Sequence, residues 1–259
     1  MEFLLIGITA LAASLLTFFS GFGLGTILLP VFAIYYPIEI AVALTAVVHL
    51  LNNLFKMGLV SKYINWSLVF KFGIPSMIAA FAGAYLLKEL SIEPISLTQY
   101  HLGEKEFHVS LTGFVLGILI VLFAVIELSP KLSAYSFKKE HLISGGLISG
   151  FFGGLSGHQG ALRSAFLLKL QLDKKVYIAS GVMIACLVDV ARLSLYSNFD
   201  ILKSKDVNFY LLITAVLSAW TGAFIGNKIF KKTSIQFFKW FVGVFMLIMG
   251  LLIATGIVA

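Results

Sequence analysis

The sequence predicts an all-α, multi-pass membrane protein built as an inverted repeat of two halves. Each half is expected to be a broken or re-entrant helical hairpin followed by three transmembrane helices. Three observations carry that expectation. Hydrophobic residues make up 59% of the 259 and charged residues only 12%, against roughly 25% charged in a soluble domain. Apolar runs near the roughly 20 residues that cross a bilayer recur along the chain. Two longer apolar segments, in corresponding places, are interrupted by glycines and polar residues.

The first long segment covers 3–36 and contains SGFGLGTILLP, with Gly21, Gly23, Gly25 and Pro30. Spans follow over 38–60 and 67–87. Residues 88–108 are polar, carry Pro94 and read as an outer loop. A fourth span covers 109–128. The stretch 129–140 (SPKLSAYSFKKE) is basic and reads as a linker between an N-terminal repeat, 1–128, and a C-terminal repeat, 141–259. The second half then repeats the pattern: a glycine-interrupted segment over 142–172, a span over 176–196, a polar turn, and spans over 209–230 and 235–257. Sliding the chain on itself pairs Ser20 with Ser156, Gly21 with Gly157, Asn53 with Asp189 and Lys56 with Arg192. With a short insertion, Gly83 falls opposite Gly222. Such internal symmetry is common in membrane proteins that move solutes. The N-terminus, MEFLLIG, lacks a basic n-region and is expected to be retained. The single cysteine, Cys186, leaves no intrachain disulfide and reads as a small buried hydrophobe.

Charge decides whether the long segments cross once or return. If each crosses once, lysines divide evenly between the two faces. If each returns, Lys88, Lys105, Lys203 and Lys205 share one face, and the ratio is roughly ten to four. Basic residues favour the cytoplasmic side. The returning arrangement therefore puts both termini and the 88–108 loop outside a cell membrane, and gives the halves opposite orientation. The net charge of +7 then reads as loop charge facing anionic lipid. No basic patch interleaved with aromatics suggests nucleic acid as a partner; the lipid bilayer is the expected surroundings, and a homodimer is compatible with the sequence.

The candidate chemistry lies in the interruptions. Arg163 sits deep in an apolar segment, where a cation is usually functional. Its guanidinium offers directional donors to an anion. Ser20, Gly21, Gly23, Gly25 and Thr26 form one break; Ser156, Gly157, His158, Gln159 and Gly160 form the other. Where a break precedes a half-helix, free N–H groups and the dipole's positive end suit an anion; close packing by small residues is the alternative. His49, Asn52, Asn53 and Lys56 share one face of the second helix. Asn52 and Asn53 are candidate substrate ligands or interhelical bridges. His49 is a candidate proton carrier or a structural histidine. Lys56, near the cytosolic end, is expected to snorkel, with gating as the alternative. Asp189 and Arg192 are spaced for an internal ion pair or a gating role. His101, Glu104, Glu106 and His108 read as solvated loop residues, so no metal is expected. No phosphate loop, HExxH or GxSxG appears, so no cofactor and no enzymatic role is expected.

Two stretches carry a family resemblance. SGFGLGTILLPVFAIYYPIEIAVALTAVVHLLNN resembles the glycine-rich GxGGG-xxxxP start of the TauE/SafE sulfite exporter family, also called TSUP permeases, with Leu24 breaking the glycine run. GLISGFFGGLSGHQGALRSAFLLK is similar to the second-half motif of a subgroup with QGALRSAF, and differs from the commoner GGG form at Gln159 and Arg163. The resemblance covers 3–257. It implies a duplicated, inverted helical fold and a permease for small sulfur-containing anions: sulfite, thiosulfate, sulfoacetate and related organosulfonates. An anion channel, or a membrane structural or assembly factor, are the other classes that the residues allow.

Overall fold

The computed structural model describes residues 1–20, 23–92, 95–129, 131, 137–167, 170–196, 207–229 and 235–258. Much of the expected linker and the polar turn over 198–206 lie outside the described residues. Among the described residues there are ten helices: α1 Glu2–Ser20, α2 Leu24–Phe32, α3 Ile38–Val60, α4 Trp66–Ile92, α5 Leu111–Leu128, α6 Leu142–Ser156, α7 Gln159–Leu167, α8 Lys174–Tyr196, α9 Phe209–Ile229 and α10 Ile235–Ala254. Five of these, α3, α4, α5, α8 and α9, are long and apolar enough to cross a membrane. Their outer faces carry large exposed hydrophobics such as Phe70, Phe81, Phe114, Leu122 and Phe224. Bilayer hydrocarbon solvates such side chains, so their exposure needs no other partner.

Local sequence sets several boundaries. Asn65 caps α4 by accepting from the Leu68 N–H at 3.1 Å, and Ser110 caps α5 by accepting from Gly113 N–H at 3.0 Å. A π-helical turn over Val69–Gly73 interrupts α4 near its start. Two expectations are corrected. The helix expected to end at Leu87 runs on to Ile92, because Lys88 and Glu89 end the apolar run without ending the helix. The loop expected over 88–108 is shorter and carries paired strands: β1 (Ser96–Leu102) pairs antiparallel with β2 (Lys105–Ser110) across Gly103.

The helices pair across the two halves: α1 with α9, α4 with α6, α3 with α8, and α5 with α10. Lipid tails give apolar helices no hydrophobic drive to associate, so close backbone approach has to hold them. Along α6, Gly146, Gly150 and Gly154 recur every four residues and form one face. A Cβ at these positions would run into the carbonyls of Phe72, Ser76 and Ala80 on α4. Gly83 and Gly222, matched in the sequence, play matched parts: a Cβ on Gly83 would strike the Phe151 carbonyl, and one on Gly222 the Leu11 carbonyl.

The ends of the elements fix their directions. Tyr100 Oη donates to the Thr255 carbonyl at 2.7 Å, so the β-hairpin and the end of α10 lie together. Phe137, just before α6, stacks on Phe166 near the end of α7 with ring centroids 4.3 Å apart. Its N–H also donates to the Ala165 carbonyl at 3.1 Å. Helix α7 therefore runs back along α6 to the end where α6 began. At the other broken segment, Tyr36 Oη accepts from the Asn208 N–H at 3.4 Å, beside the start of α9. Since α9 packs with Thr214 beside Gly7 and Gly222 beside Leu11, α1 runs parallel to it and also begins at that end.

Candidate functional site

Among the described residues, the central pair α3–α8 carries eight of the 18 buried polar side chains. His49, Asn53 and Lys56 point from α3 toward α8 because they lie at i, i+4 and i+7. On α8 the facing positions are small, Gly181 and Ala185, and leave space between the helices. A cavity of about 20 Å³ fills that space, lined by Thr17, His49, Asn53, Lys56, Arg163, Ile178, Gly181, Val182 and Ala185. That is room for roughly one water-sized group.

Arg163 reaches the cavity because α7 folds back beside α6, which turns its second turn toward α8. The guanidinium lies against Gly181, where a Cβ would sit 3.5 Å from Nε. Only 4% of Arg163 is exposed, so it does not snorkel to lipid headgroups. The snorkelling expectation for Lys56 is corrected. It is 2% exposed, because α3 and a following 3-10 turn, Ser61–Tyr63, carry the chain past it. Lys62, beyond it, takes the place at the helix end, over the Tyr63 ring.

Beside the cavity runs a charged network. Asp189 Oδ2 lies 2.6 Å from His49 Nδ1, joining α8 to α3. Asp189 Oδ1 accepts from Arg192 Nε at 3.0 Å, with Nη2 at 2.8 Å. The internal ion pair is thus present, extended by a histidine. Asn53 Nδ2 lies 3.2 Å from His49 Nδ1. Asn52, one residue on, is rotated out of the cavity and meets Ser14 Oγ at 2.9 Å. With its amide oriented to donate to Ser14 and the Ala219 carbonyl, its Oδ1 accepts from Lys56 Nζ at 3.2 Å. It therefore orients the lysine from behind.

Both chain breaks are present and close together. α6 ends at Gly157, in the left-handed region at φ 79°, and α7 begins two residues later. Gly23 turns at φ 126° before α2. A Cβ on Gly25 would sit 3.6 Å from the Gly157 carbonyl and 3.9 Å from His49 Cδ2, so the breaks meet beside the network. Arg192 Nη1 faces Gly157, where a Cβ would lie 2.8 Å away. The breaks adjoin the cavity without lining it. Ser156 Oγ donates to the Phe152 carbonyl at 3.1 Å. His158 stacks on Phe123 at 5.4 Å, with Nδ1 3.0 Å from the Ser156 carbonyl. Gln159 is buried against Gly153, and its carbonyl accepts from Ser149. The Gly160 carbonyl accepts from Ser164 Oγ at 2.9 Å. Thr26 is half-buried on α2. The side chain of Ser20, and Gly21, lie outside the described residues.

Of the residues singled out in the sequence, His49, Asn53, Lys56 and Arg163 come together around one cavity, with Asp189 and Arg192 behind. Thr17, Ile178, Gly181, Val182 and Ala185 were not anticipated. Small and apolar residues on a helix carry no signal that separates a cavity wall from helix packing. Among the described residues, no group of three or more His, Cys, Asp or Glu side chains could hold a metal ion.

The model of the family described as sulfite exporter TauE/SafE matches residues 6–253. The chain belongs to the sulfite exporter TauE/SafE family. No curated protein and no solved structure matches it. The TauE/SafE match spans both breaks, the α3–α8 pair and the cavity. It places the site in an integral, multi-pass membrane transport protein. Among the described residues, Lys56, Arg163 and Arg192 are buried cations, and Asp189 is the buried carboxylate.

Proposed function

We propose that this chain is a secondary transporter for a small anion of the sulfur oxyanion or organosulfonate class, such as sulfite, thiosulfate or sulfoacetate. The observation that carries this reading is the charge around the cavity. Two buried cations, Arg163 and Lys56, border the same cavity. An anion between them would meet both. Arg163 supplies directional donors and Lys56 a second charge. His49, Asn53 and Thr17 shape the pocket, and Gly181 leaves room for the guanidinium. The backbone of the two breaks, around 20–26 and 156–160, would complete the site when the cavity opens.

The reading includes alternating access between inverted repeats, 1–128 and 141–259, joined by the linker 129–140. The helix directions support it, since each broken segment ends beside the end of the bundle at which it began. A cavity this small favours a carrier over an anion channel, because a sulfur oxyanion enters only if the halves move. Export needs no second ion: a monovalent anion leaving a negative-inside cell gains about 2.3 kcal/mol per 100 mV. Both termini and the β-hairpin are assigned to the outer face of the cell membrane, following the lysine bias.

The test is flux of ³⁵S-labelled sulfite and thiosulfate into vesicles holding the purified chain. Saturable flux in the wild type is expected, falling to the protein-free level in Arg163→Ala while the protein stays monodisperse. Undiminished flux in that variant would reject the site. Flux that never saturates, with single-channel currents, would replace the carrier by a channel.

A further inference from the structure

Resting on the transport reading above, we propose that the His49–Asp189 pair is a proton-binding site and that one proton moves with each anion. The bond between His49 Nδ1 and Asp189 Oδ2, at 2.6 Å, joins α3 of the first half to α8 of the second. Asp189 is immobilised, with its other oxygen held by Arg192 and no surface exposed. His49 is also touched by Asn53, whose Nδ2 lies 3.2 Å from Nδ1 and 3.4 Å from Nε2, and it borders the cavity. The network also touches both breaks: the His49 ring approaches Gly25, and Arg192 Nη1 faces Gly157. A change of charge on the imidazole is therefore felt at both turns that must rearrange when access alternates.

The groups around the ring decide how it responds. Lys56 lies on its own helix. Asp189, Arg192 and, one turn earlier, Cys186 lie on α8, and Arg163 comes from α7. The segments α1 and α2 offer Thr17 and Gly25, which carry no charge. An anion seated in the cavity lies beside the ring and attracts a positive charge on it. Anion and proton then favour each other's binding by the same factor, whichever arrives first. The proton comes from water to Nε2 of the neutral ring, giving an imidazolium that keeps its Nδ1–H on Asp189. On the far side it returns from the same nitrogen to water, and no covalent bond to the anion forms. Proton release also turns the α3–α8 ion pair into a hydrogen bond from a neutral ring to the carboxylate, so the link between the halves weakens as the cargo leaves.

The experiment uses the full chain in vesicles, with voltage clamped at zero by potassium and valinomycin and ³⁵S-thiosulfate at equal concentration on both sides. Thiosulfate carries no proton of its own near neutral pH. A pH gradient of one unit, acid outside, is then imposed. One proton per anion gives about tenfold accumulation inside, since each factor of ten in one gradient balances the same factor in the other. In His49→Gln the ratio is expected to stay near one, and Asp189→Asn carries the same expectation if the first variant does not fold. Wild-type exchange with a ratio of one would overturn the proposal while leaving transport intact. Tenfold accumulation in His49→Gln would overturn the assignment to this pair. No anion flux at all, for thiosulfate or sulfite, would overturn the transport reading and this one with it.

Discussion

Where α6 gives way to α7, the chain turns through Gly157 and seats a guanidinium on the cavity in the second turn of the new helix. Where α1 gives way to α2, it turns through Gly23 and continues through LGTILLPVF, nine residues without a charge. The position matching Arg163 in the first half is Ile27, which is buried in the apolar core. The central helices differ in the same way. His49, Asn53 and Lys56 on α3 correspond to Ala185, Asp189 and Arg192 on α8. The matched positions thus share their breaks and helix pairing but not their chemistry. The second break brings Arg163 to the cavity, α3 and α8 both wall it, and α8 adds Asp189 and Arg192 beside it. In the proposed function, an asymmetric site of this kind suits a single anion.

The sharpest way to break this comparison is to exchange matched residues. Arg163→Ala is expected to remove flux altogether, whereas Ile27→Val, at the matched place, is expected to keep it. The second largest effect is on stability. Asp189→Ala strands Arg192 and His49 in the interior and is expected to cost about 3–5 kcal/mol. Asn53→Ala, its counterpart, removes a neutral partner and is expected to cost about 1–3 kcal/mol. Thermal unfolding in one detergent measures both, and equal losses would contradict the division of roles.

Packing gives a smaller contrast. Gly150→Ala pushes a methyl into the Ser76 carbonyl on α4 and is expected to destabilise by about 1–3 kcal/mol. Gly58, on α3, has nothing within 4 Å of a Cβ. Gly58→Ala is therefore expected to be neutral or to stabilise by up to about 1 kcal/mol. The smallest expected effect is topological and leaves stability untouched. The single cysteine is buried at Cys186, so Lys105→Cys in the β-hairpin gives one reactive thiol. Labelling of intact cells by a membrane-impermeant maleimide is expected, and protection until lysis would place the hairpin inside.

Several of these features were legible in the sequence for plain reasons. The run over 38–60 is bounded by Pro37 and a polar turn, and α3 occupies those residues. The glycines of the two long segments marked true breaks, and the lysine bias between faces agreed with segments that return. The failures have equally physical causes. Hydropathy stops at the first charge, so it ended α4 at Leu87, although LKELSI continues the helix into water. Residues 88–108 read as loop because they are polar and carry Pro94, a composition that does not show the pairing of the hairpin. Lys56 was assigned to lipid headgroups by its distance from the expected helix end, but its direction, set by the 100° step of the helix, turns it inward. Asn52 and Asn53 looked equivalent, and the same step separates them: Asn53 borders the cavity, while Asn52 braces Lys56.

Binding of ³⁵S-thiosulfate and ³⁵S-sulfite to the purified chain by equilibrium dialysis tests the electropositive cavity most directly, because it needs neither vesicles nor a driving gradient. Saturable binding of one anion per chain is expected, weakened about thirtyfold or more in Arg163→Ala, since losing a desolvated charged hydrogen bond costs about 2–5 kcal/mol or more. Unchanged affinity in that variant, or no saturable binding of either anion to the wild type, would contradict it.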